Sequence, residues 1–416
     1  MQRLFRAVKI MDPGSQWHGQ TVDIRVNEGL IAEIGSDLPL NGADEIHLPQ
    51  ASVSTGWIDL EAIGGDPGFE HREDIASLTR AAAAGGFTKV GLRPETEPVI
   101  HDKSGVSYLL QQSRLAAVEL LPIGAVSKAL AGAEITEMLD MRAAGAVAFS
   151  DGSHSIQHAG LLLRALLYVK TFDGLIMNQP QEATIAGKGQ LHEGMVSTML
   201  GMRGIPSLAE ELMIDRDLRL LEYTDSRLHI SHVSTAEGVE KIRAAKAQGL
   251  RVTASVAALN LLLTVKDVEN FDSNCKVLPP LREEKDRQAL LQGLKDGTID
   301  CISSNHTPLE PEAKHLEFAY ADFGAATIST AFSAARHGVG DFLTEEEFIS
   351  KLTSGPRRVF QLEPSSIAVE EPAQLTFYQY DTSYVLTLQD IHSRSKNSPL
   401  VGQALSGKPL AILNGD

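Results

Sequence analysis

Hydrophobic and polar residues alternate in short runs near the start of the chain. Residues 22–26 alternate with a period of two, residues 27–29 supply turn formers, and residues 30–34 alternate again. A period of two places successive side chains on opposite faces of a strand. The pattern therefore predicts a β-hairpin within the first fifty residues.

From residue 57 onward the pattern changes to a repeated order of apolar strand, loop and helix. Strand-like runs lie at residues 57–62, 87–92, 117–124, 145–150, 174–179, 227–233, 251–256 and 299–304. Helical patterns separate most of them, at residues 73–84, 156–170, 209–223, 236–247 and 286–295. No G-x-G-x-x-G dinucleotide-binding pattern follows the first run. Eight strands that alternate with helices predict an α/β fold, a (β/α)₈ barrel of the TIM type.

Beyond about residue 365 the helical pattern stops and the alternation returns. Residues 374–380, 384–388 and 408–413 have the pattern of strands. The simplest arrangement pairs these strands with the N-terminal hairpin. We therefore predict a composite, β-sandwich-like domain of residues 1–54 and 365–416, which flanks a barrel domain of residues 55–364.

Composition narrows the function classes. The 416 residues carry a net charge of −17, which argues against nucleic acid or an anionic membrane surface as the partner. Cys275 and Cys301 form no C-x-x-C pair and imply no disulfide framework. No apolar run approaches the roughly 20 residues that span a bilayer, and the first residues do not resemble a signal peptide. We therefore expect a cytoplasmic protein that binds neither nucleic acid nor membranes.

The stretch at residues 56–68 contains the first strand of the predicted barrel and a glycine-rich turn. Residues just past the carboxyl end of a barrel strand lie at the mouth of the barrel, where active sites are built. Glu61, Ile63 and Gly65 are therefore candidate site positions.

Short motifs follow one another in a fixed order along essentially the whole chain. They are TGWID at residues 55–59, DPG at 66–68, AGGFT at 84–88, FSDG at 149–152, HEG at 192–194, LHISHVST at 228–235, KVLPPLR at 276–282, DGTID at 296–300 and NSPLVG at 397–402. Together they resemble the dihydroorotases, which belong to the amidohydrolase superfamily. The resemblance implies a barrel with a binuclear zinc site. It also implies a hydrolase that acts on a cyclic amide, the dihydropyrimidine ring of pyrimidine biosynthesis.

The resemblance also assigns site positions, and most of them are altered in this chain. Glu61 and Ile63 stand where the family has two zinc-binding histidines, and Gly65 stands where it has the arginine that grips the substrate carboxylate. Gln179 replaces a third zinc histidine. Asn305 replaces the aspartate that acts as ligand and general base.

Other motif positions differ as well, although a few site positions match. Glu95 replaces an asparagine, which we expect to add a charge that repels an anionic substrate, and Leu309 replaces a histidine. Asp151 matches the carboxylate that touches both metals, and His232 matches a zinc histidine. Asn274 matches a contact to the pyrimidine ring.

These changes predict that the family reaction is lost. Two zinc ions need a full set of imidazole and carboxylate ligands, and Asp151, His232 and Glu61 form at most a poor mononuclear site. Without a metal, the attacking water keeps a pKa of about 15.7 instead of about 7. Asn305, at the general-base position, cannot accept the proton. We therefore assign no catalytic residue, expect no cofactor, regard Asp151 and His232 as remnant metal positions, and assign Asn274 to substrate binding.

Several of these residues also have a structural interpretation. Asp151 could cap the loop that follows its strand, and His232 could be a hydrogen-bonded core histidine. His229 is interpreted as structural. His154 and His158 have the i,i+4 spacing with which one helix face can bind a metal, although such a pair is more often solvated surface.

Three functions stay open at this point. The favoured hypothesis is a catalytically degenerate dihydroorotase, retained as a structural or assembly partner. Inactive members of such families hold an aspartate carbamoyltransferase in its working oligomer, so this enzyme is the candidate partner. The second hypothesis is an active dihydroorotase, or a related cyclic-amide hydrolase, with a rearranged or single zinc site. The third is a binding module for a small metabolite. We expect the chain to form a homo-oligomer.

Overall fold

The computed structural model describes residues 2–114 and 116–415. Its strands are, in chain order, β1 (Gln2–Ile10), β2 (Thr21–Asn27), β3 (Leu30–Gly35), β4 (Asp44–His47), β5 (Ser52–Thr55), β6 (Trp57–Ala62), β7 (Phe87–Leu92), β8 (Glu119–Gly124), β9 (Ala148–Phe149), β10 (Ile176–Asn178), β11 (Leu191–His192), β12 (Gly204–Ile205), β13 (Leu228–Ile230), β14 (Val252–Ala257), β15 (Cys301–Ser303), β16 (Gln374–Val385) and β17 (Ala404–Asn414).

Helices connect most of the barrel strands. They are α1 (Ile75–Ala84), α2 (Lys103–Ser113), α3 (Met138–Ala144), α4 (Ala159–Lys170), α5 (Ala183–Ala186), α6 (Met195–Met199), α7 (Ser207–Thr224), α8 (Ala236–Ala247), α9 (Ala258–Leu262), α10 (Glu284–Asp296), α11 (Pro311–Lys314), α12 (Ala331–Val339), α13 (Glu345–Ser350) and α14 (Ser354–Val359). Short 3₁₀ segments lie at Lys128–Leu130, Val265–Val268, Ser273–Cys275 and Leu388–Asp390.

Within the described residues, eight parallel strands form the barrel in the order β6-β7-β8-β9-β10-β13-β14-β15. Ala62 at the end of β6 pairs with His306 just beyond β15, and the amide of Ile63 donates to the carbonyl of His306 over 3.0 Å. These contacts join the first strand to the last, so the sheet is a nearly closed barrel. Each predicted strand run overlaps one of these strands, and the predicted (β/α)₈ barrel is confirmed.

Residues that favour helix ends stand at the ends of several barrel helices. Helix α1 begins after Asp74, whose carboxylate accepts from the amide of Ser77 over 2.7 Å, while Ser77 Oγ accepts from the amide of Asp74. This reciprocal pair satisfies two amides that a helix start leaves unpaired. Helix α3 ends at Gly145 in a left-handed conformation, which costs a glycine little.

Both ends of the described chain contribute to one further sheet. Among the described residues it has seven strands, in the order β17-β16-β5-β1-β2-β3, with β4 beside β1. Strand β5 lies at its centre, parallel to β1 and antiparallel to β16, and Thr55 pairs with Leu375. The pairing of C-terminal with N-terminal strands is thus observed, while the domain boundaries at residues 54 and 365 stay a prediction.

Trp57 ties the sheet to the barrel. Its indole is fully buried, stacks on Phe332 at 4.5 Å and lies 5.3 Å from the ring of Tyr378 in β16. Its Nε1–H donates to Ser54 Oγ over 2.9 Å. Gly86 faces the indole. Only glycine fits at this position, because a Cβ there would lie 2.6 Å from the ring. The barrel and the sheet therefore share one packed junction.

Among the described residues, no helix is long and apolar enough to cross a membrane.

Candidate active-site cavity

A cavity of about 240 Å³ opens at the carboxyl ends of the barrel strands. It is lined by Ile63, Arg93, Ser153, His154, Gln179, Ala257, Leu259, Asn260, Val277, Leu278, Ser304, Asn305, Thr307, Phe323, Gly324 and Ala325. Barrels of this type carry their active sites at this face. The cavity is therefore the candidate active site.

Three of the positions at which the family resemblance places metal ligands contribute neutral side chains to the cavity wall. Ile63, Gln179 and Asn305 all line the cavity. Asn305 donates its Nδ2–H to the carbonyl of Leu278 over 3.0 Å. An alkyl group and two amides neither accept a proton near neutral pH nor supply the imidazole and carboxylate ligands that zinc prefers.

The backbone around Gly65 admits only glycine at this position. It has a φ of +70°, and a Cβ at this position would collide with the carbonyl oxygen of Glu73. The arginine that the resemblance places here would therefore need a different backbone. Gly65, Glu95 and Leu309 line a pocket beside the cavity, so these three altered positions lie next to it.

Glu61 and His232 lie buried together and are not among the residues that line the cavity. Glu61 Oε2 is 3.8 Å from His232 Nε2, and their side chains are 2% and 0% exposed. Neither Glu61 Oε2 nor either ring nitrogen of His232 has a hydrogen-bond partner within the described part of the chain. Burial raises the pKa of Glu61 to about 7, against the opposing effect of the Arg93 charge. Burial lowers the pKa of His232 well below its ordinary value, so its imidazole is neutral.

Arg93 and Glu95 form an ion pair at the cavity wall. Arg93 Nε lies 2.6 Å from Glu95 Oε2, and Arg93 Nη2 lies 3.0 Å from Glu95 Oε1. The amide of Ser153 donates to Glu95 Oε1 over 3.0 Å. Although burial opposes ionisation, Arg93 holds the pKa of Glu95 below its usual range. The expectation that Glu95 places a repelling charge in the cavity is corrected, because Arg93 neutralises that charge.

Asp151 is engaged by the neighbouring loop. Its carboxylate accepts from the amide of Ser127 over 2.8 Å and from Ser127 Oγ over 2.5 Å. Burial raises the pKa of Asp151, and these hydrogen bonds oppose the rise. Asp151 does not line the 240 Å³ cavity; it lines an adjoining groove, which shares Ser153 and His154 with the cavity. The contacts are those of the loop-capping role considered above.

Asn274 lies away from the cavity. It belongs to the 3₁₀ segment Ser273–Cys275, and its amide donates to Asp272 Oδ1 over 2.9 Å. Val277 and Leu278 of this segment line the cavity, and the assignment of Asn274 to substrate binding stays a prediction.

The other candidate histidines are separated from one another. His158 Nδ1 accepts from the amide of Leu161 and caps helix α4, while His154 is exposed and lies 4.0 Å from Glu95. His229 is held by Thr253 Oγ1 at 2.9 Å and Ser255 Oγ at 3.0 Å, which confirms its structural interpretation. Neither the His154/His158 pair nor the His229/His232 pair therefore forms a metal site.

Another cluster of metal-ligand types lies outside the cavity. His192, Glu283 and Asp286 place ligand atoms within 4.8 Å of one another. Arg282 Nη1 donates to His192 Nδ1 over 3.1 Å, so Nε2 of the neutral ring carries the proton and has no lone pair for a metal. The positive charge of Arg282 also opposes a cation beside it.

The residues at the barrel mouth do not fit a binuclear zinc centre. Within the described residues, Glu61 and His232 offer one carboxylate oxygen and one imidazole without hydrogen-bond partners, and both oxygens of Asp151 accept hydrogen bonds from Ser127. The positive guanidinium of Arg93 lies close enough to influence both of the unpartnered groups. Two zinc ions bring four positive charges and need more ligands than this set supplies.

Sequence reasoning missed a second buried pair next to the mouth. His306 Nε2 lies 3.2 Å from Glu73 Oε2, and both side chains are fully buried. His306 Nδ1 accepts from the amide of Thr327 over 3.0 Å, which fixes the proton on Nε2. The position of Glu73, an acidic residue directly before the helix cap Asp74, was the one feature of the sequence that could have indicated this pair. The pair braces the last barrel strand rather than entering the cavity.

The fold and the position of the cavity define the class of protein. The structure superposes on the L-hydantoinase (dihydropyrimidinase) of Arthrobacter aurescens with a TM-score of 0.87, at 23% identity, covering 100% of this chain and 95% of that one. For the dihydropyrimidinase of Brevibacillus agri NCHU1002 the TM-score is 0.84, at 19% identity, with 100% and 94% covered. These likenesses show the TIM-type barrel fold.

Sequence comparison then identifies the family. Residues 52–238 match the dihydro-orotase-like family model. The dihydroorotase of Syntrophotalea carbinolica is 38% identical over 417 residues, covering 99% of this chain and 97% of that protein. That of Pelotomaculum thermopropionicum is also 38% identical, with 100% and 97% covered. The chain belongs to the dihydroorotase family of pyrimidine biosynthesis, as its motifs predicted.

Proposed function

We propose that this chain is a catalytically degenerate dihydroorotase, retained as an assembly partner. The observation that carries the proposal is the chemistry of the cavity wall, where Ile63, Gln179 and Asn305 stand at ligand and base positions. The bond from Asn305 Nδ2 to the carbonyl of Leu278 supports it further, because this side chain acts as a donor. A general base must accept a proton, and a metal-bound hydroxide needs a complete ligand set.

The proposed partner is an aspartate carbamoyltransferase, in keeping with what the family resemblance implies for inactive members. Exposed apolar side chains offer surface for such an assembly. Met195 and Met199 on α6 are 75% and 67% exposed, and Leu208 and Leu212 on α7 are 49% and 44% exposed. Each pair has i,i+4 spacing and so shares one helix face. Methionine is enriched at protein interfaces. The chain itself is proposed to form a homo-oligomer.

The catalytic half of the proposal is tested by turnover. The protein should be produced in a host that lacks its own dihydroorotase and assayed in both directions, with zinc in the buffer. We expect no rate above that of the Asn305→Ala variant. Turnover that is lost in Glu61→Gln or His232→Ala would show that a rearranged or single-metal site works, and would overturn the degenerate assignment.

The assembly half is tested by sedimentation with the carbamoyltransferase of the same organism. We expect one co-sedimenting complex, which the double variant Met195→Glu/Met199→Glu should abolish. Tyr223→Glu is the matched control, since Tyr223 is 78% exposed and lies near the other end of α7. Separate sedimentation of the two wild-type proteins contradicts the partner.

Binding of a small metabolite is the alternative, and the cavity itself favours it. A volume of about 240 Å³ with an apolar wall and several amides remains at the mouth. A ligand that binds only the folded protein raises its thermal midpoint. A rise with uncharged cyclic amides, combined with no carbamoyltransferase complex, would favour the binding module over the assembly partner.

A further inference from the structure

A strap of residues 311–324 forms one wall of the cavity. It contains helix α11 (Pro311–Lys314), and its last residues, Phe323 and Gly324, line the cavity directly. The amide of Gly324 donates to the carbonyl of Lys276 over 2.9 Å. The strap is therefore attached to the segment that precedes Leu278, which lies on the cavity wall.

Lys276 binds the middle of the strap with a buried ammonium group. Lys276 is 2% exposed, and its Nζ donates to the carbonyls of Phe318 and Ala319 over 2.8 and 3.3 Å. The same Nζ lies 5.5 Å from the ring of Phe318 and 4.9 Å from that of Phe323. These are distances at which an aromatic face attracts a cation.

Lys314 of the strap binds the segment that carries Lys276. It is 1% exposed, and its Nζ donates to the carbonyl of Asp322 over 2.9 Å and to that of Lys276 over 3.3 Å. Its own carbonyl accepts from Ser273 Oγ over 2.6 Å. The two lysines thus form a reciprocal clasp between the strap and the segment below it.

The clasp is unusual because, among the described residues, both ammonium groups bind backbone carbonyls and neither has a carboxylate within ion-pair distance. A buried cation normally needs such a partner, and its desolvation costs several kcal/mol per ion. A surface loop can close with polar or apolar contacts that cost far less. The desolvation free energy of the two ammonium groups argues that they hold the strap in one defined position. The strap in turn forms one wall of the cavity.

We propose that Lys276 and Lys314 are positioning residues that hold the strap closed and so control entry to the cavity. Without the ammonium of Lys276, the buried carbonyl of Phe318 has no donor, and an unpaired buried carbonyl is costly. The strap should then open locally while the barrel stays folded. This inference concerns access to the cavity and holds whether or not the cavity retains catalysis.

The two native cysteines report local and global opening separately. Cys275 is 6% exposed and packs in the same apolar cluster as Phe318 of the strap. Burial raises the pKa of the Cys275 thiol to about 12, so it is unreactive while the strap is closed. Cys301 is fully buried in β15 of the barrel and becomes accessible only when the barrel unfolds.

The experiment compares thiol modification in the full-length protein and in the variants Lys276→Met, Lys314→Met and Lys188→Met. Lys188 is an exposed lysine outside the strap and serves as the control. Maleimide labelling followed by peptide mass spectrometry gives the rate at each cysteine. We expect labelling of Cys275 to rise at least ~10-fold in both clasp variants, which is about 1.4 kcal/mol of easier opening, with Cys301 and the control unchanged.

Amide hydrogen exchange of residues 315–324 provides the second measurement. Exchange should quicken in both clasp variants, while the amides of β14 keep their protection. An unchanged Cys275 rate together with unchanged strap exchange would overturn the proposal. A parallel rise at Cys275 and Cys301 would also overturn it, because the lysines would then support the whole fold rather than the strap.

Discussion

Glu61 Oε2 lies 3.8 Å from His232 Nε2, a separation too long for a hydrogen bond, with no other partner for either atom within the described residues. Buried polar atoms are nearly always paired, because an unpaired one loses its bonds to water without replacement. Such a pair can share a water molecule or one weakly held ion. It cannot replace the full ligand set of a two-metal centre.

The first prediction concerns metal content. Because Ile63, Gln179 and Asn305 replace ligands in the cavity wall, the protein purified without chelators should hold no stoichiometric zinc. Elemental analysis of the purified chain measures this directly. Two zinc ions per chain, lost together in His232→Ala, would contradict the degenerate site.

The second prediction concerns restoration of the ligands. The combined variant Glu61→His/Ile63→His/Gln179→His/Asn305→Asp should regain zinc, whereas each single reversion should not, because binding requires the set. Gly65 is left unchanged, since a side chain there would collide with the Glu73 carbonyl. Zinc content and turnover are measured for the single variants and the combination. Activity in any single reversion would show that the site has been placed wrongly.

The third prediction concerns chelation. A barrel is held together by its packed interior and its ring of helices, so this fold should not depend on a bound metal. The thermal midpoint measured with and without EDTA should be the same. A loss of many degrees would reveal a tightly bound ion, since removing a ligand of the folded state lowers the midpoint. The zinc-loaded fourfold variant serves as the positive control.

The fourth prediction concerns the Arg93–Glu95 ion pair. Arg93→Met should lower the free energy of unfolding by about 3–5 kcal/mol, because it leaves the buried Glu95 charge without a partner. The double variant Arg93→Met/Glu95→Gln should recover much of that loss. Denaturant unfolding measures both. An Arg93→Met variant as stable as the parent would mean that the pair carries no buried charge.

The fifth prediction concerns pH. Burial lowers the pKa of Lys314 to about 8, below its ordinary 10.5, so between these values the unfolded chain binds more protons than the folded one. Stability conferred by this position should therefore rise as the pH increases from about 8 to 10.5, by ~3 kcal/mol in total. The comparison is the difference in unfolding free energy between the parent and Lys314→Met across that range. A difference that stays constant with pH would contradict it.

The strands of the barrel were predictable because each is a short apolar run bounded by turn formers. The predicted helix at residues 236–247 coincides with α8, and most other ends agree within a few residues. Strand lengths were less predictable. Residues 145–150 have the pattern of a strand, yet only Ala148 and Phe149 pair as one, because pairing also depends on the neighbouring strands.

The site was predictable as a set of positions but not as a set of contacts. Ile63, Gln179 and Asn305 line the cavity as expected. The partner of Glu95 was missed although Arg93 is two residues away, since only the fold shows that both side chains turn toward each other. The motif match points to Asn274, and only the fold shows that Val277 and Leu278 of the same segment line the cavity.

The position of β5 between β1 and β16 also has a consequence for synthesis on the ribosome. Val53 of β5 pairs with Phe377, about 320 residues later, and Trp57 waits for Phe332 and Tyr378 to cover its ring. At roughly 5–20 residues per second, the growing chain spends about 15–60 s with this strand edge and indole unpaired. Nascent β5 is thus an open template during translation, and chaperones that shield hydrophobic edges should bind the first half of this chain.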